Sequence, residues 1–396
     1  MLAIFASPFY IAILIWFVSR FYKFVDSLEI QNKTKANIIK RLSLIVFLLT
    51  ACIAVGFLLP SGNLKRIFSK IGSYWLGISL YLILSVVIAE TILFFLKKKN
   101  KEKYKDKESR FVAMMFVLVF TIGMSVYGII NAGIVRQTDF DVYIDKKCGV
   151  TKELTIGLIS DTHFGYNIGV NHMKQTADII NNANCDLVIL AGDIFDNEYD
   201  AIEEPDKIIE LINSMESKYG TYYVLGNHDV EEKILCGFTF DHDEKKNASE
   251  GMLDFLSKTN MKLLYDKYEL INNSFYIYGR PDYERPNFNN YNKSRVSADK
   301  ITIGMNKDKP IICIDHEPRD YDLLKQAGVD LDLAGHTHDG QIWPTKYFCY
   351  LVWDNAYGLY KDENFNAITT SGVGLFGPNI RTATIAEVAI VHVKFK

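Results

Sequence analysis

Paired cysteines are missing from this chain. Its six cysteines, Cys52, Cys148, Cys185, Cys236, Cys313 and Cys349, include no C-x-x-C. That excludes a zinc ribbon and a thioredoxin-type redox pair. Cys52, Cys185 and Cys313 lie in or beside apolar runs and read as buried free thiols. A disulfide among Cys148, Cys236 and Cys349 stays open. Surplus charge is missing too. A net charge of −3 gives no global attraction to nucleic acid, so none is expected as a partner. No P-loop is present: the glycine-rich stretch 371–378 has no helix signal after it. The first apolar run lacks a basic n-region and a small-residue cleavage site, so it reads as a span rather than a leader.

What the chain does have is apolar sequence, very unevenly spread. Four long apolar segments cover about 2–19, 42–60, 71–96 and 111–135. Each approaches the ~20 residues that a helix needs to cross the hydrocarbon core. A soluble helix would show a polar stripe, and 42–59 shows none. The first 135 residues are therefore expected to be an all-α, four-helix transmembrane region. Loop 20–41 carries Arg20, Lys23, Lys33, Lys35, Lys40 and Arg41, and loop 97–110 carries seven lysines and Arg110. Loop 61–70 has only Lys65, Arg66 and Lys70. Positive loops stay inside, which places everything after Val135 outside the cell membrane. Glu90 is the one ionisable residue within a span; near Lys97, it reads as an interfacial ion pair.

After a linker at 136–150 the pattern changes to strands alternating with helices through 151–396. Strands are expected at 154–160, 186–191, 222–225, 264–270, 274–278, 310–314, 331–334, 368–371 and 387–395. Helices are expected at 170–183, 202–218, 251–259 and 321–327. This mixture predicts an α/β domain with two packed sheets.

Polar residues collect where five of these strands end. They are Asp161 and His163, Asp193 and Asp196, Asn227 with His228 and Asp229, His316, and His336 with His338. Five of the eight histidines fall in these motifs; His172, His242 and His392 read as surface or core residues. In an extended segment residues i and i+2 share a face, so Asp161 and His163 should point one way, as should His336 and His338. Imidazole, carboxylate and amide oxygen together suit Mn, Fe or Zn rather than an all-oxygen calcium site. Asp161, His163, Asp193, Asn227, His316, His336 and His338 are too many ligands for one tetrahedral ion. They fit two divalent ions with a bridging carboxylate, a device for in-line phosphoester displacement.

D-x-H, G-D-x-x-D, G-N-H-D, a later lone histidine and G-H-x-H, in this order, resemble the calcineurin-like metallophosphoesterase superfamily. The likeness covers 154 to the C-terminus. It implies a double β-sandwich flanked by helices. It also implies a first ion on Asp161, His163, Asp193 and His338, and a second on Asp193, Asn227, His316 and His336, with manganese favoured. Asp193 would bridge, and the nucleophile would be hydroxide held between the ions. His228 would face the phosphate and protonate the leaving oxygen, with Asp229 holding His228. The wording around His316 and His336 resembles the membrane-associated bacterial branch, some members of which are linked to lipid or envelope substrates. Asp339 departs from that branch's usual glycine, as a charge that repels substrate or tunes His338, or as a solvated turn residue.

Three functions stay open at this point. The first is a membrane-anchored phosphohydrolase acting on a lipid-linked or envelope phosphate or pyrophosphate. The second is a phosphodiesterase for soluble phosphates. The third is a membrane sensor whose outer domain only binds ligand. Residues 231–250 are either a lid or a surface insertion. Arg280 is either a phosphate fork or a structural ion pair. The glycines of 371–378 are expected to admit substrate close to the backbone.

Overall fold

A computed structural model describes residues 2–28, 30–100, 104, 107–149, 151–235, 238–239, 247–285 and 295–396. Chain contacts divide it into two compact units. One is Met1–Ile130 with Ile234–Asp241 and Gly377–Ile380; the other is Asn131–Lys233, His242–Phe376 and Arg381–Lys396.

The first unit is built on helices α1 (Leu2–Ser27), α2 (Asn32–Leu58), α3 (Asn63–Lys99) and α4 (Lys107–Ala132). Helices α2, α3 and α4 are each long and apolar enough to cross a membrane. Their outward side chains are apolar as well: Phe47 is 66% exposed, Phe94 64% and Val119 66%. A soluble bundle would turn a polar face to water there. Inside, Leu14, Phe17, Val46, Trp75, Val86 and Val117 form the core. Polar pairs stitch the helices together, with Trp75 Nε1 donating to Thr50 Oγ1 at 3.0 Å and Ser85 Oγ lying 3.0 Å from Thr121 Oγ1.

The second unit opens with a finding that the linker reading missed. Residues 135–144 form strand β1 (Val135–Ile144), which pairs in parallel with the last strand of the chain. Then follow β2 (Glu153–Ile159), α5 (Val170–Ala183), β3 (Leu187–Ala191), α6 (Pro205–Asn213) and β4 (Thr221–Val224). The hairpin β5 (Ile234–Leu235) and β6 (Phe238–Thr239) belongs to the first unit; the rest of the expected lid, 236–237 and 240–246, lies outside the described residues. Next come α7 (Glu250–Ser257), β7 (Lys262–Leu263), β8 (Lys267–Ile271), β9 (Phe275–Gly279), β10 (Ile311–Ile314), α8 (Tyr321–Ala327) and β11 (Leu331–Ala334). The chain closes with α9 (Lys346–Val352), β12 (Gly358–Asp362), β13 (Phe365–Thr369) and β14 (Ala386–Phe395).

The strands make two six-stranded sheets, β1-β14-β2-β3-β4-β7 and β12-β13-β11-β10-β9-β8. The sequence explains why they stack. In β2 and β3, Leu154, Ile156, Leu158, Leu187 and Ile189 enter the core shared with Phe275, Ile277, Ile312 and Leu333 of the second sheet. The alternate residues Ile159, Val188 and Leu190 enter a different core, under α5, α6 and α7. Both faces are covered, so these strands read as continuous apolar runs. Helix α5 buries Met173, Thr176, Ala177 and Ile180, one stripe at helical spacing, and ends on Asn184 in the left-handed region at φ 51°. Helix α6 is shorter than the 202–218 expectation, because Pro205 starts it and the chain leaves it at Ser214.

Cys148 and Cys349 are free thiols, so they form no disulfide with each other; Cys236 lies outside the described residues.

Candidate metal centre

Strands β2, β3, β10 and β11 run parallel where they pair, so their carboxyl ends come out together. Loops leaving β2, β3, β4, β10 and β11 bring the expected ligands into one buried knot. Ligand atoms of Asp161, His163 and His338 form one group, and those of Asp193, His316 and His336 a second; within each group they lie within 4.8 Å of one another. Asn227 joins the second group, with Oδ1 3.2 Å from His316 Nε2. Asp193 Oδ2 lies between the groups, 3.6 Å from His163 Nε2 and 3.2 Å from His316 Nε2.

The convergence is not achieved by strand alternation. Asp161 and His163 have φ of 53° and 44°, and Asp193, His336 and His338 have 51°, 69° and 49°. Left-handed backbone at five non-glycine ligand positions costs of order 1–3 kcal/mol each. The surroundings enforce it: Asp161 N donates to Gly192 O, His163 N to Asp193 O and Gly335 N to His316 O, each at 3.0 Å. His336 and His338 consequently part, one to each group. Gly226, before Asn227, lies outside the left-handed region. Its role is space, because a Cβ there would collide with Asp193 Oδ1.

The donor set fits divalent cations. Asp161, His163, Asp193, His316 and His338 are all buried. His163 Nδ1 and Asp196 Oδ1, both sealed from solvent, lie 3.5 Å apart as an ion pair. His163 Nε2 and His338 Nε2 face each other at 3.1 Å. Burial and the neighbouring His316 push His336 down to about 3, and burial with His163 holds His338 well below the usual imidazole range. Neutral imidazole is the form that binds metal. Burial opposes charge on His316, yet Asp193 and Asp161 hold its pKa well above normal. The His316 Nδ1–H donates to Ala191 O at 2.8 Å, which turns Nε2 toward the site.

His228 stands beside the ligands, its ring centroid 5.1 Å from that of His163. Its Nδ1 meets Asn197 Oδ1. Asp229 does not reach it; that carboxylate accepts Phe195 N at 2.9 Å and Gly226 N at 2.8 Å. Asn197 is the residue sequence reading missed, and its only signal is its place one after the G-D-x-x-D motif. Arg381 was missed as well: fully buried, it donates to Gly374 O at 2.6 Å, with Nη2 3.4 Å from His338 Nδ1.

Other expectations resolve around this knot. Arg280 is a structural ion pair, donating to Asp315 Oδ2 at 2.6 Å and Asp320 Oδ2 at 2.7 Å. Asp315 in turn accepts His316 N at 2.9 Å. Asp339 is no solvated turn residue; it is buried and paired with Lys346 at 2.8 Å. The close approach made by Gly374 is to Asp161, whose carbonyl accepts Gly374 N at 2.7 Å. Phe376 of the same loop packs against His228 and His338, with centroids 5.5 and 6.2 Å away. His172 bonds Ala132 O, and His392 pairs with Asp139 far from the knot; His242 lies outside the described residues.

Residues 154–340 match the family model of the calcineurin-like phosphoesterases. An uncharacterized metallophosphoesterase of Campylobacter jejuni is 28% identical over 72% of this chain and 70% of its own length. One of Helicobacter pylori is 30% identical over 63% of this chain and 62% of its own. A transmembrane protein with metallophosphoesterase domain from Danio rerio is 25% identical over 71% of this chain and 62% of its own. The chain thus spans 62% to 70% of the length of these relatives. Through residues 154–340 the chain is thus similar to the calcineurin-like phosphoesterases, and the relatives it matches are named metallophosphoesterases.

Proposed function

We propose that the chain is a membrane-anchored phosphohydrolase with a dinuclear centre. The position of Asp193 Oδ2 between two imidazole groups carries this reading. Asp161, His163, Asp193 and His338 would hold one ion, and Asp193, Asn227, His316 and His336 the other, manganese being the favoured metal. Two such ions would supply Lewis acidity toward a phosphoryl oxygen and an activated water. The protein's own part is orientation and proton handling. His228 is held through Nδ1 on Asn197 Oδ1, which leaves Nε2 to serve the leaving oxygen. Burial lowers its pKa, and a bound phosphate anion favours the protonated ring that can serve the leaving oxygen. Phe376 and the buried ligands keep bulk water from the same volume.

Residues 1–135 would anchor the protein, with α1 as a fourth span, and 151–396 would form the catalytic domain with β1 as an added edge. The cationic loops 20–41 and 97–110 favour an extracytoplasmic catalytic domain. Helix α9 supports a lipid-linked substrate. Its inner side is tied to the G-H-T-H loop, by Lys346 on Asp339 and by the following Trp353, 4.9 Å from the His336 ring. Its outer side exposes Tyr347, Phe348, Leu351 and Val352 by 64%, 64%, 82% and 73%. An aromatic and aliphatic face of this kind suits the bilayer interface.

The test is His228→Ala in the full-length protein loaded with manganese. Loss of phosphodiester turnover by roughly 100-fold or more with unchanged metal content is expected for a general acid. Unchanged turnover removes His228 from the chemistry; no turnover even in the parent favours a ligand-binding sensor.

A further inference from the structure

The helical unit contains a second polar site, which the proposed phosphoester chemistry does not use. A cavity of about 190 Å³ opens between α1, α3 and α4, at the end where α3 finishes in Lys97, Lys98 and Lys99. Its polar wall is Arg20, Lys23, Lys97 and Arg110, with Glu90 the only carboxylate among its lining residues. Arg20 Nε lies 3.6 Å from Glu90 Oε1, makes no hydrogen bond, and is sealed from solvent. The Arg20 guanidinium also lies over the Trp16 ring, 5.3 Å from its centroid, which fixes its direction. Four cations around one small chamber repel each other, and one carboxylate offsets only part of that.

A larger trough, about 500 Å³, adjoins the chamber between α3 and α4. The two share Ala89, Leu93 and Ala113 as walls. Beyond those, the trough is lined mainly by apolar side chains, Ile92, Leu96, Val112 and Phe116, together with Tyr104, Glu108 and Ser109. Two of the three shared walls, Ala89 and Ala113, are small. A cationic chamber that shares walls with an apolar trough matches a phosphate anion that carries a hydrocarbon tail. A free phosphate would use the chamber and leave the trough without purpose.

We propose that this chamber binds the phosphate headgroup of an acidic phospholipid, with an acyl chain of the same lipid lying in the trough. Basic pockets between membrane helices take such headgroups because the ion pair forms where water is scarce. The site is independent of the metal centre and of its substrate.

The experiment uses the full-length protein in nanodiscs of equal phosphatidylcholine and phosphatidylglycerol, released into the gas phase for native mass spectrometry. The expected result is retained phosphatidylglycerol in excess of phosphatidylcholine. Arg20→Gln with Lys97→Gln should lower that retention several-fold. Lys33→Gln with Lys40→Gln, exposed cations outside the chamber, should leave it unchanged. Val112→Trp, which fills the trough and removes no charge, should lower it too. Helix content by circular dichroism and a single monodisperse elution peak report that each variant is folded. Equal retention of the two lipids, or a Gln pair at 20 and 97 that behaves like the control pair, overturns the proposal. Displacement of the lipid by inorganic phosphate, with Val112→Trp silent, also overturns it, in favour of a soluble phosphate.

Discussion

His228 is held by Asn197 rather than by the carboxylate that follows it. The Nδ1–H of His228 donates to Asn197 Oδ1, and Asn197 is itself anchored by Nδ2 donating to Val230 O at 3.2 Å. Asp229 points the other way and ties Phe195 N and Gly226 N. The ring's orientation therefore rests on Asn197, which also ties Val230, and not on Asp229.

This separation predicts different consequences for two neighbouring substitutions. Asn197→Ala should lower turnover by roughly 10- to 100-fold, the range for removing a group that orients a site residue, with metal content close to the parent and stability lower by about 1–3 kcal/mol for the unpaired Val230 carbonyl. Asp229→Ala orphans two buried amides, which cost about 1–3 kcal/mol each, so it should lower stability and metal content together. Denaturant midpoints, metal analysis and turnover on each variant check this. If Asp229→Ala keeps full stability and metal but loses turnover, Asp229 acts on His228 after all.

The apolar face of α9 makes a prediction about substrate class. Burying a leucine or phenylalanine side chain contributes about 1.5–3 kcal/mol. Leu351→Glu with Phe348→Glu should therefore lower kcat/KM for a long-chain lipid phosphate by about tenfold or more. A short water-soluble phosphodiester should be hydrolysed as before. Both side chains are more than half exposed, so the substitutions leave the fold intact. A matching loss on both substrates means that α9 serves the site and not the lipid.

A pH effect follows from Asp332, inside the second sheet on β11. Burial, then the nearby Asp315, push its carboxyl up to about 8, against Arg280 and Arg295. The folded state binds this proton more tightly than the unfolded chain, whose carboxyl titrates near 4. Its contribution is therefore full below about pH 4 and is lost as pH rises toward 8. Asp332→Asn keeps the neutral form at every pH. Between pH 6 and 8, where the folded domain persists, the parent's denaturant midpoint should fall relative to that of the Asn variant. Parallel midpoints across that range would show that Asp332 is ionised in the folded protein.

Much of the catalytic domain was legible because its strands are buried on both faces. Runs such as 187–191 and 311–314 are apolar throughout, and the polar motifs mark where each run ends. Strand β1 was not legible. Its Gln137, Asp139, Asp141 and Tyr143 make one exposed face, the opposite face is only partly buried at Arg136, Thr138 and Phe140, and its partner β14 is at the other end of the chain. Such a strand is decided by long-range pairing, for which local sequence has no signal.

The site divides along the same line. The types and order of Asp161, His163, Asp193, Asn227, His228, His316, His336 and His338 were readable, because hard and borderline cations select carboxylate, amide and imidazole whatever the fold. The membrane region was readable for a similar reason, since a bilayer demands long apolar helices. Which ligands group together was not readable. Local alternation would have put His336 beside His338, whereas left-handed turns held by neighbouring strand ends part them. Nor could sequence show Asn197 behind His228, Arg381 behind His338, or Arg20 and Arg110 around one chamber. Those relationships are set by which loops and helices pack together, and packing is a property of the folded chain.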